Sequence, residues 1–140
     1  MRLMSLVLVL AIAGCAAVMP LPRDVNVQAP AAGVPNEIAA FSGKWTGSWG
    51  GGVLDSTLVV EQIQGRDAII IYSWSTAPRW GIHQPGFHRV RGTFASGNVL
   101  RATLPNGANI SYTMNPDGTV NGQYEIRGAI TLGQFRRDNR

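Results

Sequence analysis

Residues 109–126, NISYTMNPDGTVNGQYEI, decide the fold that we predict for this chain. On both sides of the central Asn-Pro-Asp-Gly, apolar side chains alternate with polar ones. An alternation with a period of two places the apolar side chains on one face of a β-strand. Asp117-Gly118 provides the positive backbone φ that a tight turn requires, so the two runs should pair as an antiparallel hairpin. The stretch therefore predicts a sheet with one apolar face and one solvated face.

The same pattern of short alternating runs continues over residues 41–140. Turn residues such as Gly50-Gly51-Gly52 and Pro105-Asn106-Gly107 separate neighbouring runs, and no run of useful length has the period of a helix. We therefore predict eight antiparallel strands, over residues 44–50, 54–63, 67–74, 87–94, 98–104, 108–114, 119–126 and 129–136.

An open sheet of eight strands would expose two unpaired edges, and closing the sheet removes both. We expect an all-β fold, an eight-stranded antiparallel barrel whose strands run up and down in chain order. Such a barrel leaves room inside for side chains or for one small ligand. Because the inward side chains are large, we expect a filled interior, and an aromatic ligand cage is the alternative. That cage would consist of Trp45, Trp49, Tyr72, Tyr112 and Tyr124.

Two strands do not divide cleanly into an inner and an outer face. Residues 67–74 are apolar on both faces, and two alternating sets compete for the inner face of the last strand. These sets are Ala129, Thr131, Gly133 and Phe135 on one side, and Ile130 and Leu132 on the other. The acidic residues of the predicted strands, mostly at outward positions, are expected to be solvated: Asp55, Glu61, Asp67 and Glu125.

The N-terminus, MRLMSLVLVLAIAGCAA over residues 1–17, has the pattern of an export signal. Arg2 precedes an apolar stretch that is too short for a membrane-spanning helix. The run Ile12-Ala13-Gly14-Cys15 resembles the lipobox of bacterial lipoproteins, rather than an ordinary cleaved signal with an incidental cysteine. That resemblance implies removal of residues 1–14 and acylation of Cys15, so that the acyl chains anchor the protein in the bacterial cell envelope. Ala16, in place of aspartate, resembles lipoproteins sorted to an outer membrane and facing the periplasm.

Residues 15–40 are predicted to be the lipidated N-terminus and a flexible tether, because prolines interrupt them and no apolar period is sustained. At about 3 Å per extended residue, this tether would lift the domain several nanometres from the bilayer. Residues 37–41 have the pattern of a single helical turn, with plain linker as the alternative. The domain itself is assigned to residues 41–140.

Composition excludes several classes of function. The chain has a net charge of +4, with one lysine and eleven arginines, and its basic residues do not cluster among aromatic ones, so we expect no binding to nucleic acid. Cys15 is the only cysteine, so no disulfide forms within the chain.

The opening Gly43-Lys44-Trp45, followed by Trp49 and by Arg136 or Arg137 near the last strand, resembles the calycin superfamily of lipocalin-like and avidin-like barrels. In those proteins a G-x-W motif begins the first strand, and a basic residue of the last strand packs across the tryptophan. The resemblance implies that these residues close a lipocalin-like, calycin-like barrel over residues 41–140.

The connection over residues 75–86 is the one long loop between predicted strands, and long loops that carry aromatic residues are often functional. We predict that it lies at the barrel mouth, either as a lid with Trp80 as its apolar plug or as part of a ligand site. The candidate ligand-binding residues are Trp74, Arg79, Trp80, His83 and His88.

Catalysis and metal binding have little support in the sequence. His83 and His88 are the only histidines and lack a suitably spaced third ligand, so we expect no metal and no cofactor. No serine occupies a strand-to-helix elbow, and the carboxylates are scattered. We expect a membrane-anchored envelope lipoprotein whose non-catalytic barrel binds a small apolar or saccharide ligand, or supports envelope integrity. The alternative is a module that binds an envelope protein, for example an inhibitor of a periplasmic hydrolase.

Overall fold

Eight antiparallel strands follow one another around a closed barrel, and the last strand pairs with the first. The computed structural model describes residues 19–140. The predicted signal peptide and Cys15 lie outside the described residues. The strands are β1 (Gly43–Trp49), β2 (Leu54–Gln64), β3 (Asp67–Trp74), β4 (Gly86–Ser96), β5 (Val99–Thr103), β6 (Asn109–Met114), β7 (Val120–Ile126) and β8 (Ala129–Arg137). A short helix, α1 (Asn36–Ala39), precedes β1, and a 3-10 turn covers Pro78–Trp80.

The prediction of an all-β, up-and-down antiparallel barrel is confirmed, and the architecture is consistent with a calycin-like fold. Each predicted strand is present, with bounds that differ by at most two residues. The largest difference is in β4, which continues to Ser96 through an irregularity in its pairing with β5. Because β1 pairs with β8 from Trp45↔Arg137 to Trp49↔Gly133, no sheet edge remains free in the barrel.

The barrel has two different ends, which we call the base and the mouth. The first residues of β1 and the last residues of β8 lie at the base. The connections over residues 50–53, 75–85, 104–108 and 127–128 lie at the mouth. None of the helices within residues 19–140 is long and apolar enough to cross a membrane.

The base is closed by α1 and the residues that follow it. Phe41 is fully buried and packs edge-on against Phe94, with ring centroids 5.2 Å apart. The indole N–H of Trp45 donates a hydrogen bond to the Phe41 carbonyl at 2.9 Å. The chain entering β1 is thereby fixed across this end of the barrel, which seals it from water.

Arg137 completes the closure of the base. Its guanidinium lies 4.3 Å from the centre of the Trp45 ring and donates hydrogen bonds to the carbonyls of Ser42, at 2.8 Å, and Ala40. A cation over an indole face is an attractive arrangement, and the two carbonyls belong to the segment that caps the base. Arg136 faces outward beside Thr46 and is exposed. Of the two arginines named from the sequence, the structure places Arg137 on the tryptophan.

The middle of the barrel is filled by aromatic side chains around Trp49, which is 1% exposed. Its ring centroid lies 5.2 Å from that of Phe135, 6.1 Å from that of Tyr112 and 6.5 Å from that of Tyr72. Gly122 makes room for this indole, since a Cβ there would lie 2.6 Å from Trp49. We call Trp49, Tyr72, Tyr112, Tyr124 and Phe135 the aromatic cluster.

The ambiguity of the last strand is resolved by Phe135, which is fully buried. Thr131 and Gly133 share its inward face. Ile130 and Leu132 point outward, and they are 58% and 65% exposed. On this inward face Phe135 packs edge-on against Trp49 and Tyr112, and so joins the aromatic cluster.

The segment before β1 is attached to the outside of the barrel along much of its length. The amide of Gln28 donates to the carbonyl of Glu61 at 2.8 Å, and that of Ala31 donates to the carbonyl of Ile63 at 3.0 Å. Val59 and Ile71 face outward from β2 and β3 and are nevertheless fully buried. The sequence predicted a flexible tether here, whereas in the structure the segment runs along β2 and covers this outer face.

A buried carboxylate holds the same segment. Glu61 is only 5% exposed, so the prediction that it is a solvated surface charge is wrong. It accepts two hydrogen bonds from Arg89, at 2.8 and 3.0 Å, and a third from the amide of Asn26 at 3.0 Å. Arg89 also pairs with Asp24 at 3.1 Å. Hydrogen bonds from Arg89 hold the pKa of Asp24 below its usual value. We call Asp24, Arg89 and Glu61 the segment clamp.

Candidate ligand site at the barrel mouth

A cavity of about 290 Å³ opens at the mouth, above the aromatic cluster. Most of the cavity wall is aromatic or aliphatic. The wall consists of inward-facing residues at the mouth ends of several strands and of residues from two loops. The lining residues are Trp49, Leu54, Tyr72, Trp74, Trp80, Ile82, His88, Leu104, Asn106, Tyr124 and Thr131. The barrel is therefore filled in its middle and hollow at its mouth.

Trp49 belongs both to the filled middle and to the cavity wall. Its indole N–H is buried within the aromatic cluster beside the Tyr72 side chain, so it is turned away from the open space of the cavity.

One wall is a row of three rings, tilted relative to one another, that begins inside the barrel. The rings of Tyr72 and Trp74 are 5.7 Å apart, and those of Trp74 and His88 are 5.1 Å apart. The indole N–H of Trp74 donates to the carbonyl of Gln84 at 3.0 Å, so this ring also holds the end of the long loop. Burial raises the pKa of Tyr72 well above its ordinary range, and its phenol stays neutral.

The long loop forms a short hydrogen-bonded turn beside the opening. Ala77 and Ile82 exchange two backbone hydrogen bonds, at 2.8 and 3.1 Å, around the 3-10 turn that carries Trp80. Trp80 lies against Gly50, where φ is +65° and a Cβ would come within 2.3 Å of the indole. Trp80 remains 42% exposed, so its ring lines the opening without sealing it.

The connection between β5 and β6 completes the opposite wall. Leu104 faces the cavity, and the side-chain amide of Asn106 donates to the Tyr124 hydroxyl at 2.8 Å. The oxygen of Asn106 accepts from the amide of Ala108 at 3.0 Å. Because both ends of the Asn106 side chain are engaged within the protein, this residue fixes Tyr124 in place.

The structure brings together three of the five candidate ligand residues. Trp74, Trp80 and His88 line the cavity, whereas Arg79 and His83 are exposed on the long loop outside the lining. Sequence reasoning did not single out five lining residues that complete the wall: Leu54, Ile82, Leu104, Asn106 and Thr131. A signal was available for Leu54 and Thr131, because each is an inward-facing residue near the mouth end of its strand.

The cavity wall carries almost no charge. Within the described residues, its lining contains no Asp, Glu, Lys or Arg, and His88 is its one histidine. A buried charge on a ligand would therefore lack a counter-charge, which is costly in an apolar site. No three His, Cys, Asp or Glu side chains of residues 19–140 are grouped so that they could hold a metal ion.

A scan against models of protein families finds none that matches this chain, and a search of the curated proteins finds no match either.

Proposed function

We propose that this protein is a lipid-anchored envelope lipoprotein whose non-catalytic barrel binds a small, uncharged and largely apolar molecule at its mouth. The observation that carries the binding proposal is the aromatic cavity of about 290 Å³ above a filled core. Ligand sites are typically apolar concavities with a few polar groups that orient the ligand. This cavity has that composition, with Thr131 and His88 as polar residues in a largely apolar wall.

The size of the cavity limits the ligand. An apolar cavity of roughly 150 Å³ accommodates benzene, so the mouth suits a molecule of about two fused rings. The neighbouring rings of Tyr72, Trp74 and His88 favour an aromatic molecule that packs against them. A saccharide is the less favoured ligand, because its several hydroxyls would meet few free polar groups in this wall.

The assignment to lipocalin-like proteins is part of the same proposal. It is supported by the G-x-W motif at Gly43-Lys44-Trp45 and by the position of Arg137 over the Trp45 ring. Lipid anchoring in the bacterial cell envelope is supported by the lipobox-like run that ends at Cys15, and the outer membrane is supported by Ala16 in place of aspartate. Several acyl chains would make such an attachment stable, since one chain alone binds only marginally.

Titration with quinoline, a flat bicyclic probe with one acceptor nitrogen, tests the binding site. We expect Trp80→Ala to weaken quinoline binding about tenfold, equivalent to about 1.4 kcal/mol, because the variant removes one aromatic wall of the opening. Isothermal titration of the detergent-solubilised protein, with matched detergent blanks, provides the measurement.

Phe87→Ala is the matched control. Phe87 is 40% exposed, much like Trp80, but it points outward from β4 and does not line the cavity. Quinoline affinity should be unchanged in this variant. Equal affinities for the native protein and Trp80→Ala would refute a ligand site at the mouth.

A protein-binding module is the second candidate, and the exposed tip of the long loop favours it. Arg79, Trp80 and His83 are all exposed there, and the backbone hydrogen bonds between Ala77 and Ile82 hold this part of the loop. Exposed tryptophan and arginine are frequent anchors of protein interfaces. If Trp80→Ala abolishes a protein contact and leaves quinoline binding intact, this second function replaces the first.

A further inference from the structure

The described chain begins against the outer face of β1 and β2. The hydroxyl of Thr57 donates to the sulfur of Met19 at 3.2 Å. Met19 and Leu21 border an outer groove together with residues of β1, among them Lys44 and Thr46. The N-terminal segment is thus held to the barrel from Met19 onward and does not act as a long spacer.

This arrangement limits the distance from the barrel to a membrane. Cys15 and Met19 are four residues apart in the chain, and a fully extended chain covers at most about 14 Å over that separation. An acylated Cys15 therefore keeps the outer face of β1 and β2 within about 14 Å of the lipid surface. This step rests on the lipid anchoring proposed above, and it replaces the expected spacing of several nanometres.

The barrel surfaces on the two sides of Met19 differ in how far they are covered. On the β3 side, the N-terminal segment covers the barrel and reaches across to Arg89 of β4 through Asp24. On the other side, β8 is adjacent to β1 and is uncovered, with Ile130 and Leu132 exposed to 58% and 65%. β8 is two strands from β2, about 10 Å around the barrel at a spacing of ~4.8 Å.

The same face carries one outward-pointing arginine, Arg136. Arg137 is instead held over Trp45, and Arg140 pairs with Asp138. Arg136 is in the outward row of β8 that also contains Ile130 and Leu132, so aliphatic and cationic side chains share one strand face. Basic side chains at a membrane surface are attracted by anionic lipid headgroups, and exposed aliphatic side chains enter the interface.

We propose that the outer face of β8 is a docking surface for a phospholipid bilayer, against which the anchored barrel lies on its side. The amide of Gly50 donates to the carbonyl of Leu132 at 2.9 Å, and Trp80 lies against Gly50. The docking surface therefore adjoins the rim of the cavity. Docking brings the mouth to the lipid surface, where an apolar ligand can pass between bilayer and cavity.

Spin labels at two exposed positions test this orientation. Leu132→Cys and Phe87→Cys are each labelled with a nitroxide in the full acylated protein, where acylation leaves the introduced thiol as the only free one. Phe87 is in β4, which is four strands from β8 in either direction and so is opposite it. The proteins are reconstituted in vesicles of phosphatidylcholine and phosphatidylglycerol, and collisions with oxygen and with a water-soluble nickel complex are measured.

We expect the label at position 132 to shift from nickel towards oxygen accessibility on reconstitution, and the label at position 87 to stay accessible to nickel. Equal nickel accessibility at both positions, in protein that floats with the vesicles, overturns the docking surface and leaves the lipid anchor standing. Shielding of position 87 in place of position 132 also overturns it. Protein that carries no acyl group and does not float overturns both proposals.

Discussion

Replacing Trp49 with alanine is expected to lower the free energy of unfolding by about 3–5 kcal/mol, the range typical of large aromatic residues removed from a core. Trp49 touches the rings of Tyr72, Tyr112, Tyr124 and Phe135, and it is 1% exposed. Its removal leaves a large void where strands from both sides of the barrel meet. Urea unfolding followed by circular dichroism measures the loss.

Trp80→Ala is the control for this prediction, since it removes the same side chain from an exposed site on the long loop. Surface substitutions of this kind usually change stability by about 1 kcal/mol or less. A Trp49→Ala loss no larger than that of Trp80→Ala would mean that the aromatic cluster does not hold the barrel together. Trp49→Leu, which leaves a smaller void, should fall between the two.

Neutralising Glu61 is expected to release the N-terminal segment from the barrel. Glu61→Gln keeps the size of the side chain and removes the charge that Arg89 and the amide of Asn26 contact. The amides of Asn26, Gln28 and Ala31 should then exchange with solvent about tenfold faster or more, because local opening becomes easier while the barrel stays folded. Hydrogen–deuterium exchange with peptide resolution measures this change.

Glu125→Gln provides the comparison, because Glu125 is an exposed glutamate on β7. The hydrogen–deuterium exchange of residues 24–34 in the Glu125→Gln variant should match that in the native protein. If Glu61→Gln also leaves this exchange unchanged, the segment clamp does not hold the segment.

The strands were predictable because their signals are local. Alternation and turn residues such as Asp117-Gly118 act within a few residues of one another, and closure follows from the cost of two free edges. The burial of Glu61 was not predictable in this way. It depends on Asn26, 35 residues earlier, crossing the outside of β2. Yet β3 carried a signal, because apolar residues on both of its faces indicate that something covers the outer one.

The candidate site was predictable only in part for a related reason. Trp74, Trp80 and His88 are on or beside the long loop, which its length and aromatic content single out. Leu104 and Asn106 come from a separate short loop that only the closed barrel brings opposite them. Whether the barrel interior is filled depends on how the rings around Trp49 pack. The alternation of apolar and polar residues predicts that these side chains point inward, but it does not determine how they pack.

The binding proposal is tested most directly by native mass spectrometry of protein extracted from its own cells in mild detergent. We expect a chain that begins at Cys15, carries acyl groups there and retains a small uncharged molecule that is released on unfolding. We also expect Trp80→Ala, purified in parallel, to retain less of that molecule. A barrel that carries nothing in either protein, and that leaves quinoline unbound when it is added, would contradict the proposed binding function.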